Sequence, residues 1–224
     1  MDIKINNRFI HIQFDRPKKF LSWAIVGGGE STGQDIYWAK VHEKELPIHL
    51  DPIEVLKRRM VNDGINGIGL MTSARIEDPS LSSFEKGGIS VKCLSTVGMG
   101  NALRVGDPAR SYPRVGTINI VLSVNCALNM NAKLEALSII SEARTLAVLE
   151  NKIQSTKSEK LSTGTGTDCM ILACEAEGVE QTYSGKHTII GELIGKAVYN
   201  SVDCGIKKWI QSKNEQDYSN RRWS

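Results

Sequence analysis

Gly116-Thr-Ile-Asn-Ile-Val-Leu-Ser-Val124 is the stretch of sequence on which the fold depends. Its β-branched and other apolar residues continue almost without interruption, which is typical of a strand covered on both faces in the middle of a sheet. The segment from Asn131 to about Glu150 is rich in Ala, Leu and Glu and begins with an asparagine cap, so it predicts a long helix. Asp168 to Cys174 predicts a second buried strand.

The sequence before residue 116 predicts several shorter strands and one helix. Arg8–Phe14 alternates apolar and polar residues with the period of a half-buried strand. Phe20–Val26 and Ile36–His42 predict two more strands, so the chain opens like an antiparallel meander. An Asp-Pro pair at residues 51–52 predicts the start of a helix that runs to about Asn62. Further strands are predicted at Ile68–Ser73 and Ile89–Ser95.

The carboxyl-terminal part predicts a second long helix and a tail. The helix runs from Thr188 to about Gln211, with Gly205 as a weak point inside it. Residues 212–224 are polar and basic, and we expect them to fray. We therefore predict a single α+β domain over residues 1–211, with a mostly antiparallel or mixed sheet and helices packed on one face.

Composition and charge exclude several classes of protein. Of the 224 residues, 41% are apolar and 24% are charged, as in ordinary globular domains, and the net charge is only +3. That balance favours neither nucleic acid nor an anionic membrane as a partner. No apolar run approaches the roughly 18 residues that a membrane-spanning helix needs, and the amino terminus lacks the apolar core of a signal peptide. We therefore expect a cytoplasmic protein that acts on a small molecule, with a homo-oligomer left open.

The five cysteines predict structural thiols rather than a metal or redox site. Only Cys169 and Cys174 are close in sequence, and the segment between them is wholly apolar. A zinc site would need closer pairs or neighbouring histidines. We therefore predict that the protein binds no metal of its own and that its buried cysteines act as small apolar residues.

Two glycine-rich segments resemble each other and predict a binding site. Ser95–Ala102 follows a predicted strand, Ser162–Cys169 precedes one, and each contains Ser-Thr followed by Gly-x-Gly. Such glycines let backbone N–H groups approach an anion, a carbonyl oxygen or a developing oxyanion. Neither segment is a Walker loop or a dinucleotide fingerprint. They could be ordinary turns, a pseudo-twofold pair of sites or two halves of one site. The candidate ligand-binding residues are Gly98, Gly100, Asn101, Thr163, Gly164, Gly166 and Thr167.

His187 and two glutamates are candidates for general acid–base chemistry. His187 directly precedes the final helix, whose N-cap is predicted at Thr188, and the helix dipole there disfavours imidazolium. A neutral histidine can accept a proton, and the loss of a general base typically lowers turnover by about 10² or more. Glu192 lies one turn into the same helix. Glu142 sits among apolar residues of the earlier helix, where a carboxylate needs a partner or a role. Capping or an ordinary solvated position is the alternative for each.

Asp168 stands between a glycine loop and an apolar strand. It could orient His187 as the acid of a triad does, or it could bond the loop backbone as turn aspartates do. Thr165 and its neighbouring threonines could be nucleophiles or substrate donors, and no GxSxG sequence singles out a serine. Arg104 could bind a phosphate or a propionamide oxygen through its planar guanidinium, or form a salt bridge with Asp107.

Five short motifs, taken in order, resemble one known family. They are Gly100–Asp107, Gly116–Ile120, Glu135–Leu137 with Glu142–Thr145, Ser162–Asp168, and His187–Thr188 with Gly191–Gly195. Together they are similar to the adenosylcobinamide amidohydrolase family of archaeal-type cobalamin salvage, over roughly Phe20 to Val202.

The resemblance implies a hydrolase that cleaves the amide between the aminopropanol arm and the corrin ring of adenosylcobinamide, giving adenosylcobyric acid. His187 would then be the base, Asp168 or Glu142 would orient it, and a loop amide would stabilise the oxyanion. Attack by water and attack by a threonine both stay open. The substrate brings its own cobalt, so no cofactor is implied, and a corrinoid disc needs a wide cleft.

Other functions are also consistent with the residues. A corrinoid-binding protein would keep the glycine loops and hold the ligand without cutting it. Phosphoryl transfer to an alcohol would need nucleotide and Mg²⁺, and the absence of a Walker lysine counts against it. A purely structural protein would leave the paired glycine loops without a purpose.

Overall fold

The computed structural model describes residues 1–42, 45, 50–109 and 115–221, with side chains described as far as Glu215. In this part of the chain the strands are β1 (Asp2–Ile5), β2 (Phe9–Ser22), β3 (Gly29–Lys40), β4 (Ile68–Thr72), β5 (Ser80–Lys86), β6 (Ile89–Val97), β7 (Ala102–Leu103), β8 (Ile118–Val124), β9 (Gly164–Thr165) and β10 (Cys169–Glu175). The helices are α1 (Pro52–Asn62), α2 (Met130–Glu150) and α3 (Ile189–Arg221).

β8 lies within a mixed sheet of eight strands. The strand order is β4-β3-β2-β10-β8-β6-β5, and β1 pairs with the first half of β2. β8 pairs in parallel with β10 and antiparallel with β6, and all of its residues except Ser123 are buried. β3 and β4 are also parallel, whereas the other neighbours in this sheet are antiparallel. The predicted single α+β domain with a mixed sheet is confirmed. The prediction that residues 118–124 form a buried strand inside the sheet is also confirmed.

One strand is longer than predicted, and four strands, β1, β5, β7 and β9, were not predicted. Phe9–Ser22 forms the single strand β2, because the irregularity between Gln13 and Lys18 bends it without ending it. The sequence had predicted two strands there. β5 was missed because its serines and charged residues interrupt the apolar pattern of a strand. It forms a hairpin with β6 through two glycines with positive φ at residues 87–88.

The three helices pack on one face of the sheet, as predicted. α2 and α3 cover the face of β8 and β10 that carries Leu122 and Leu172, and α1 covers Tyr37 of β3. Successive side chains of a strand point to opposite faces. The residues next to these, such as Val121 and Trp38, therefore point the other way, and they belong to a second apolar cluster.

The second cluster is buried because the sheet curls and packs against itself. Its described members come from strands and loops, and Trp38 among them is fully buried. Nδ2 of Asn119 donates to the carbonyl of Met71 at 2.7 Å, and the hydroxyls of Thr72 and Thr96 lie 3.4 Å apart. These contacts join β4 to β8 and β6, although three strands separate β4 from β8 in the sheet order.

Each of the three helices begins with a polar N-cap residue. The side chains of Asp51, Asn129 and Thr188 each accept a hydrogen bond from a backbone N–H two or three residues later. Asp51 and Thr188 were predicted, whereas α2 begins slightly earlier than its predicted start. α3 continues past its predicted end at Gln211 as far as Arg221, so this polar segment is helical rather than frayed.

Gly205 is a point of close packing in α3 and not a weak point. A Cβ on this residue would lie 2.5 Å from Cγ2 of Val97 in β6. We expect Gly205→Ala to lower the free energy of unfolding by about 1–3 kcal/mol, although alanine is the better helix former. Urea denaturation measures the change, with Gly195→Ala on the same helix as control because the nearest atom to its Cβ is 3.9 Å away. A Gly205→Ala protein as stable as wild type would contradict the close packing.

The cysteines are free thiols, and most of them are shielded from solvent. Cys93 and Cys174 are buried, Cys126 and Cys169 are partly buried, and Cys204 is exposed. Burial raises the pKa of Cys93 and of Cys169 to about 12. These two thiols therefore stay protonated near neutral pH, which agrees with a structural role.

Two further observations concern membranes and metals. Within the described ranges, no helix is both long enough and apolar enough to cross a bilayer. In the same part of the chain, no three His, Cys, Asp or Glu side chains gather in the arrangement of a metal site. Neither observation assigns a partner.

Candidate active site

The two glycine loops meet at one end of the sheet. β7 of the first loop pairs with β9 of the second, with Ala102 opposite Thr165. A Cβ on Gly166 would lie 3.5 Å from Nδ2 of Asn101, so the tips of the loops are also in contact. The structure therefore places the two loops side by side, which is the geometry that two halves of one site would need.

Residues 115–117 close this site from a third side. Oγ1 of Thr167 donates to the carbonyl of Gly116 at 2.8 Å, and Oγ1 of Thr117 donates to the carbonyl of Thr167 at 2.9 Å. A Cβ on Gly116 would lie 2.7 Å from Oδ1 of Asn101, so the close approach requires glycine. That Oδ1 atom is buried and has no donor among the described residues.

The carboxylate of Asp168 holds the second glycine loop through hydrogen bonds and an ion pair. Its Oδ1 accepts from Oγ1 of Thr165 at 2.5 Å and from the backbone N–H of Ile118 at 3.0 Å. Its Oδ2 accepts from the backbone N–H of Thr165 at 3.0 Å and forms an ion pair with Arg144. The side chain of Asp168 is 8% exposed and that of Arg144 is 16% exposed. The carboxylate therefore holds the loop and the Thr165 hydroxyl in one geometry.

Gly164 makes room for this ion pair. A Cβ on Gly164 would overlap both Nη1 of Arg144 and Oδ2 of Asp168. Arg144 comes from α2 and Asp168 immediately precedes β10, so the pair crosses directly over the glycine. Any larger residue at this position would displace one of the two charges.

Three backbone N–H groups at the junction of the loops are free of acceptors among the described residues. They belong to Gly100, Asn101 and Gly166. Other loop amides are occupied, and that of Gly98 donates to the carbonyl of Thr117 at 2.9 Å. Unpaired N–H groups fixed in a loop are the donors that stabilise an oxyanion. All three lie within the loop segments whose amides the sequence predicted for this role.

An open cleft of about 550 Å³ begins at the first glycine loop. Gly98 and Gly100 form part of one wall, and the carboxyl-terminal half of α3 forms the opposite wall. The lining also contains hydroxyl groups, cations, carboxylates and apolar side chains, among them Thr96, Lys208, Asp78 and Trp209. The sequence predicted a wide cleft, but it assigned no role to the segment after Val202 that the structure places in this wall.

His187 lies at the opposite end of the sheet from Asp168. Asp168 immediately precedes β10, whereas the loop that leads to His187 follows the end of β10, and the strand's seven residues span about 23 Å. His187 is exposed and has no hydrogen bond with a described residue. The hypothesis that Asp168 orients His187 is therefore wrong within one chain, because an extended strand separates them.

Glu142 and Glu192 are also outside the glycine-loop site. Glu142 is exposed on α2 and pairs with Lys186, the neighbour of His187. It therefore has a partner that explains its charge, and the predicted role of orienting His187 has no contact in its support. Glu192 pairs with Lys86 of the β5–β6 hairpin and with Lys196 of its own helix.

The two lysines around Glu192 predict a pH effect on stability. Hydrogen bonds from Lys196 and Lys86 lower the pKa of Glu192 from 4.5 to about 2. Because the folded-state pKa is lowered, the contribution to stability is complete above pH 4.5 and is lost as the pH falls towards 2. We expect the difference in Tm between wild type and Glu192→Gln to be present at pH 6 and to vanish near pH 2. Equal differences at both pH values would contradict this assignment.

Arg104 and Thr163 hold the loop that follows β7. Nη1 of Arg104 donates to the carbonyl of Leu161 at 3.0 Å rather than to Asp107. Asp107 accepts instead from the hydroxyl of Ser155 and from the backbone N–H of Arg104, and these bonds lower the pKa of Asp107. The hydroxyl of Thr163 accepts from a backbone N–H of the same loop at 2.8 Å. Both side chains thus have structural partners.

Sequence reasoning missed two residues of the site. The sequence did not single out Arg144, whose partner Asp168 lies 24 residues further along the chain. Trp23 was assigned to a strand, whereas β2 ends at Ser22 and the indole N–H of Trp23 donates to the carbonyl of Asp168 at 2.9 Å. Neither residue has a local sequence signal, because each meets its partner only through the fold.

The chain is thus a single mixed α/β domain whose two glycine loops pair at one end of its sheet, and the first of these loops borders an open cleft. The comparison with known families is more specific. The chain belongs to the adenosylcobinamide amidohydrolase family, CbiZ, whose model matches residues 1–214. This match extends over the five motifs on which the resemblance rested.

Individual relatives are more distant. An uncharacterized protein of Methanocaldococcus jannaschii is 34% identical over 153 residues, which cover 59% of this chain and 60% of the relative's length. A Methanosarcina mazei protein named adenosylcobinamide amidohydrolase is 27% identical over 187 residues, covering 75% of this chain and 82% of the relative. A crystal structure from Pyrococcus horikoshii aligns with a TM-score of 0.42 at 10% identity, over 91% of this chain and 78% of that one.

Proposed function

We propose that this chain, acting in the cytoplasm, hydrolyses the amide that joins the aminopropanol arm to the corrin ring of adenosylcobinamide. The products would be adenosylcobyric acid and aminopropanol. Membership of the family supports this reaction, as does the name of the Methanosarcina mazei relative. The observation that carries the proposal is the hydrogen bond of 2.5 Å between the Thr165 hydroxyl and Asp168, next to unpaired loop amides.

Thr165 is the nucleophile in this proposal. Its Oγ1 attacks the carbonyl carbon of the substrate while its proton passes to Oδ1 of Asp168, its hydrogen-bond acceptor. The carbonyl oxygen becomes an oxyanion and accepts hydrogen bonds from the N–H groups of Gly100 and Gly166. The C–N bond then breaks, and the amine leaves with the proton from Asp168. Water hydrolyses the resulting ester, which releases the acid and restores Thr165.

Arg144 is a positioning residue in this scheme. Its guanidinium pairs with Oδ2 of Asp168 and leaves Oδ1 to the threonine hydroxyl. Removal of the guanidinium would let the carboxylate rotate and would leave it buried without a counter-charge. The ion pair thereby keeps one carboxylate oxygen directed at Thr165.

The test of the reaction is incubation of the purified protein with adenosylcobinamide, without nucleotide or added metal. Mass spectrometry detects adenosylcobyric acid if the amide is cut. We propose that the cobalt arrives with the substrate and that the protein needs no other metal, so dialysis against a chelator should leave the rate unchanged. A substrate that binds and stays intact would support the corrinoid-binding function instead.

The test of the site compares substitutions at its two ends. We expect Thr165→Val to lower kcat by at least about 10² and Thr165→Ser to retain activity, because serine keeps the hydroxyl. His187→Ala is expected to leave kcat within about two-fold of wild type, since His187 lies at the other end of the sheet. The reverse pattern, with His187 essential and Thr165 dispensable, would overturn the assignment. An ester on Thr165, trapped by acid quenching and detected by mass, would separate attack by threonine from attack by water.

A further inference from the structure

Trp23 presents an exposed aromatic ring beside the candidate nucleophile. Its side chain is 48% exposed, and that of Ile25, on the same segment, is 41% exposed. Large apolar side chains that stay in solvent next to a site are informative, because burial would otherwise stabilise the fold. Nothing in the packing of the core requires either residue to lie here, since β2 has already ended at Ser22.

The orientation of this ring is fixed. The indole N–H of Trp23 donates to the carbonyl of Asp168 at 2.9 Å, which ties one edge of the ring to the second glycine loop. Three residues later, Val26 forms two backbone hydrogen bonds with Gly69 of β4, at 2.9 and 3.3 Å. A Cβ on Gly28 would overlap the carbonyl of Ala24, so the turn is closely packed as well. The segment is therefore a rigid support.

Asp168 connects the indole of Trp23 with the candidate nucleophile. Asp168 accepts from Trp23 through its backbone carbonyl and from Thr165 through its side chain, so a single residue connects the indole with the nucleophile. The exposed tip of the second loop, Gly166 with Thr167, adjoins this residue. A ligand that rests on the indole would therefore lie next to the second glycine loop, which carries Thr165.

We propose that Trp23 and Ile25 form a shelf that holds the flat face of the substrate's macrocycle. This inference rests on the proposed function, in which the scissile amide is attached to the edge of that ring system. A flat and partly apolar disc gains contact area and dispersion on an aromatic face. Because the indole is held in place beforehand, little conformational entropy is lost on binding.

The cleft is the competing location for the macrocycle. The indole of Trp209 lines this cleft, and Nζ of Lys213 lies over its ring at 4.8 Å from the centroid. The Trp209 face is thus already occupied by a cation, whereas part of Trp23 is open to solvent. The open face of Trp23 therefore favours this residue over Trp209 as the binding surface for the macrocycle.

Binding of adenosylcobyric acid tests the shelf, because this corrinoid keeps the macrocycle but lacks the aminopropanol amide and cannot be cut. Equilibrium dialysis gives its Kd for wild type, Trp23→Ala and Trp23→Phe. We expect Trp23→Ala to raise Kd about ten-fold and Trp23→Phe to raise it less than about three-fold, because phenylalanine keeps a ring. Tyr183→Ala is the control, since Tyr183 is an exposed aromatic on the loop after β10, at the far end of the sheet.

The kinetic readout separates a shelf from a loop support. With adenosylcobinamide as substrate, Trp23→Ala should raise KM about ten-fold and leave kcat within about two-fold. If Trp23 only supports the loop, Trp23→Phe, which loses the N–H, would lower kcat as much as Trp23→Ala does and leave Kd unchanged. That result would overturn the shelf.

Two other results have distinct meanings. Weaker binding in Trp209→Phe, with none in Trp23→Ala, would place the macrocycle in the cleft and overturn the shelf, as would a wild-type protein that binds no adenosylcobyric acid. If wild type leaves adenosylcobinamide uncut while Trp23→Ala still weakens the binding of adenosylcobyric acid, the proposed reaction fails and the shelf stands.

Discussion

Asp168→Asn is expected to lower the free energy of unfolding by about 3 kcal/mol and to abolish measurable hydrolysis. All the partners of the Asp168 carboxylate are donors, and an asparagine side chain has a single acceptor oxygen to offer them. Its NH₂ group would face either Arg144 or the N–H and hydroxyl groups of the loop. The guanidinium, 16% exposed, would lose its counter-charge. Urea denaturation measures the first effect, and release of adenosylcobyric acid measures the second.

Two further variants make this result interpretable. Glu54→Gln removes an ion pair in which both side chains are more than half exposed, so it should change stability by less than about 1 kcal/mol. Arg144→Met combined with Asp168→Leu removes both charges, and we expect it to recover part of the lost stability while staying inactive. If Asp168→Asn is no more destabilising than Glu54→Gln, the ion pair does not support the loop.

Gly164→Ala is expected to destabilise the protein by about 2–4 kcal/mol and to lower activity by at least about 10². The added Cβ would overlap Nη1 of Arg144 and Oδ2 of Asp168, so one of the two charges must move. Thr165 is the next residue and depends on Asp168 for its position. Thermal unfolding and turnover of adenosylcobinamide are the measurements.

The matched control is Gly195→Ala on α3. Its Cβ would have one neighbour within 4 Å, at an ordinary van der Waals distance from Ile139. Because alanine is favoured over glycine inside a helix, this variant should be as stable as wild type or more stable. A Gly164→Ala protein that behaves like Gly195→Ala would show that the loop can relax around a methyl group, and the proposed geometry of the site would then be wrong.

The buried strand β8 and the helix α2 could be predicted because their patterns are local. An almost continuous apolar run and an Ala- and Leu-rich segment behind an asparagine cap are properties of neighbouring residues. β5 could not be predicted, since its polar residues pair with β6 for reasons of topology rather than pattern. The curl of the sheet likewise depends on Asn119 reaching the carbonyl of Met71, a contact between residues 48 positions apart.

The candidate site was predicted in part. The glycine loops and Asp168 have recognisable sequence patterns, because close backbone approach and turn bonding need particular residue types. Arg144 and Trp23 have no such pattern, since most arginines on helices lie at the solvated surface and most tryptophans are largely buried in a core. His187 and Asp168 were paired on their chemistry alone, and the length of β10 separates them.

The amino-acid sequence by itself determined the central strands, the caps of α1 and α3 and the two glycine loops, because each depends on residues within a few positions of one another. The five ordered motifs also identified the family. Only the tertiary structure decided which charges meet, since Asp168 finds Arg144 across 24 residues of chain and its carbonyl finds Trp23 across 145. Such pairings follow from strand order and helix packing, and no local pattern encodes them.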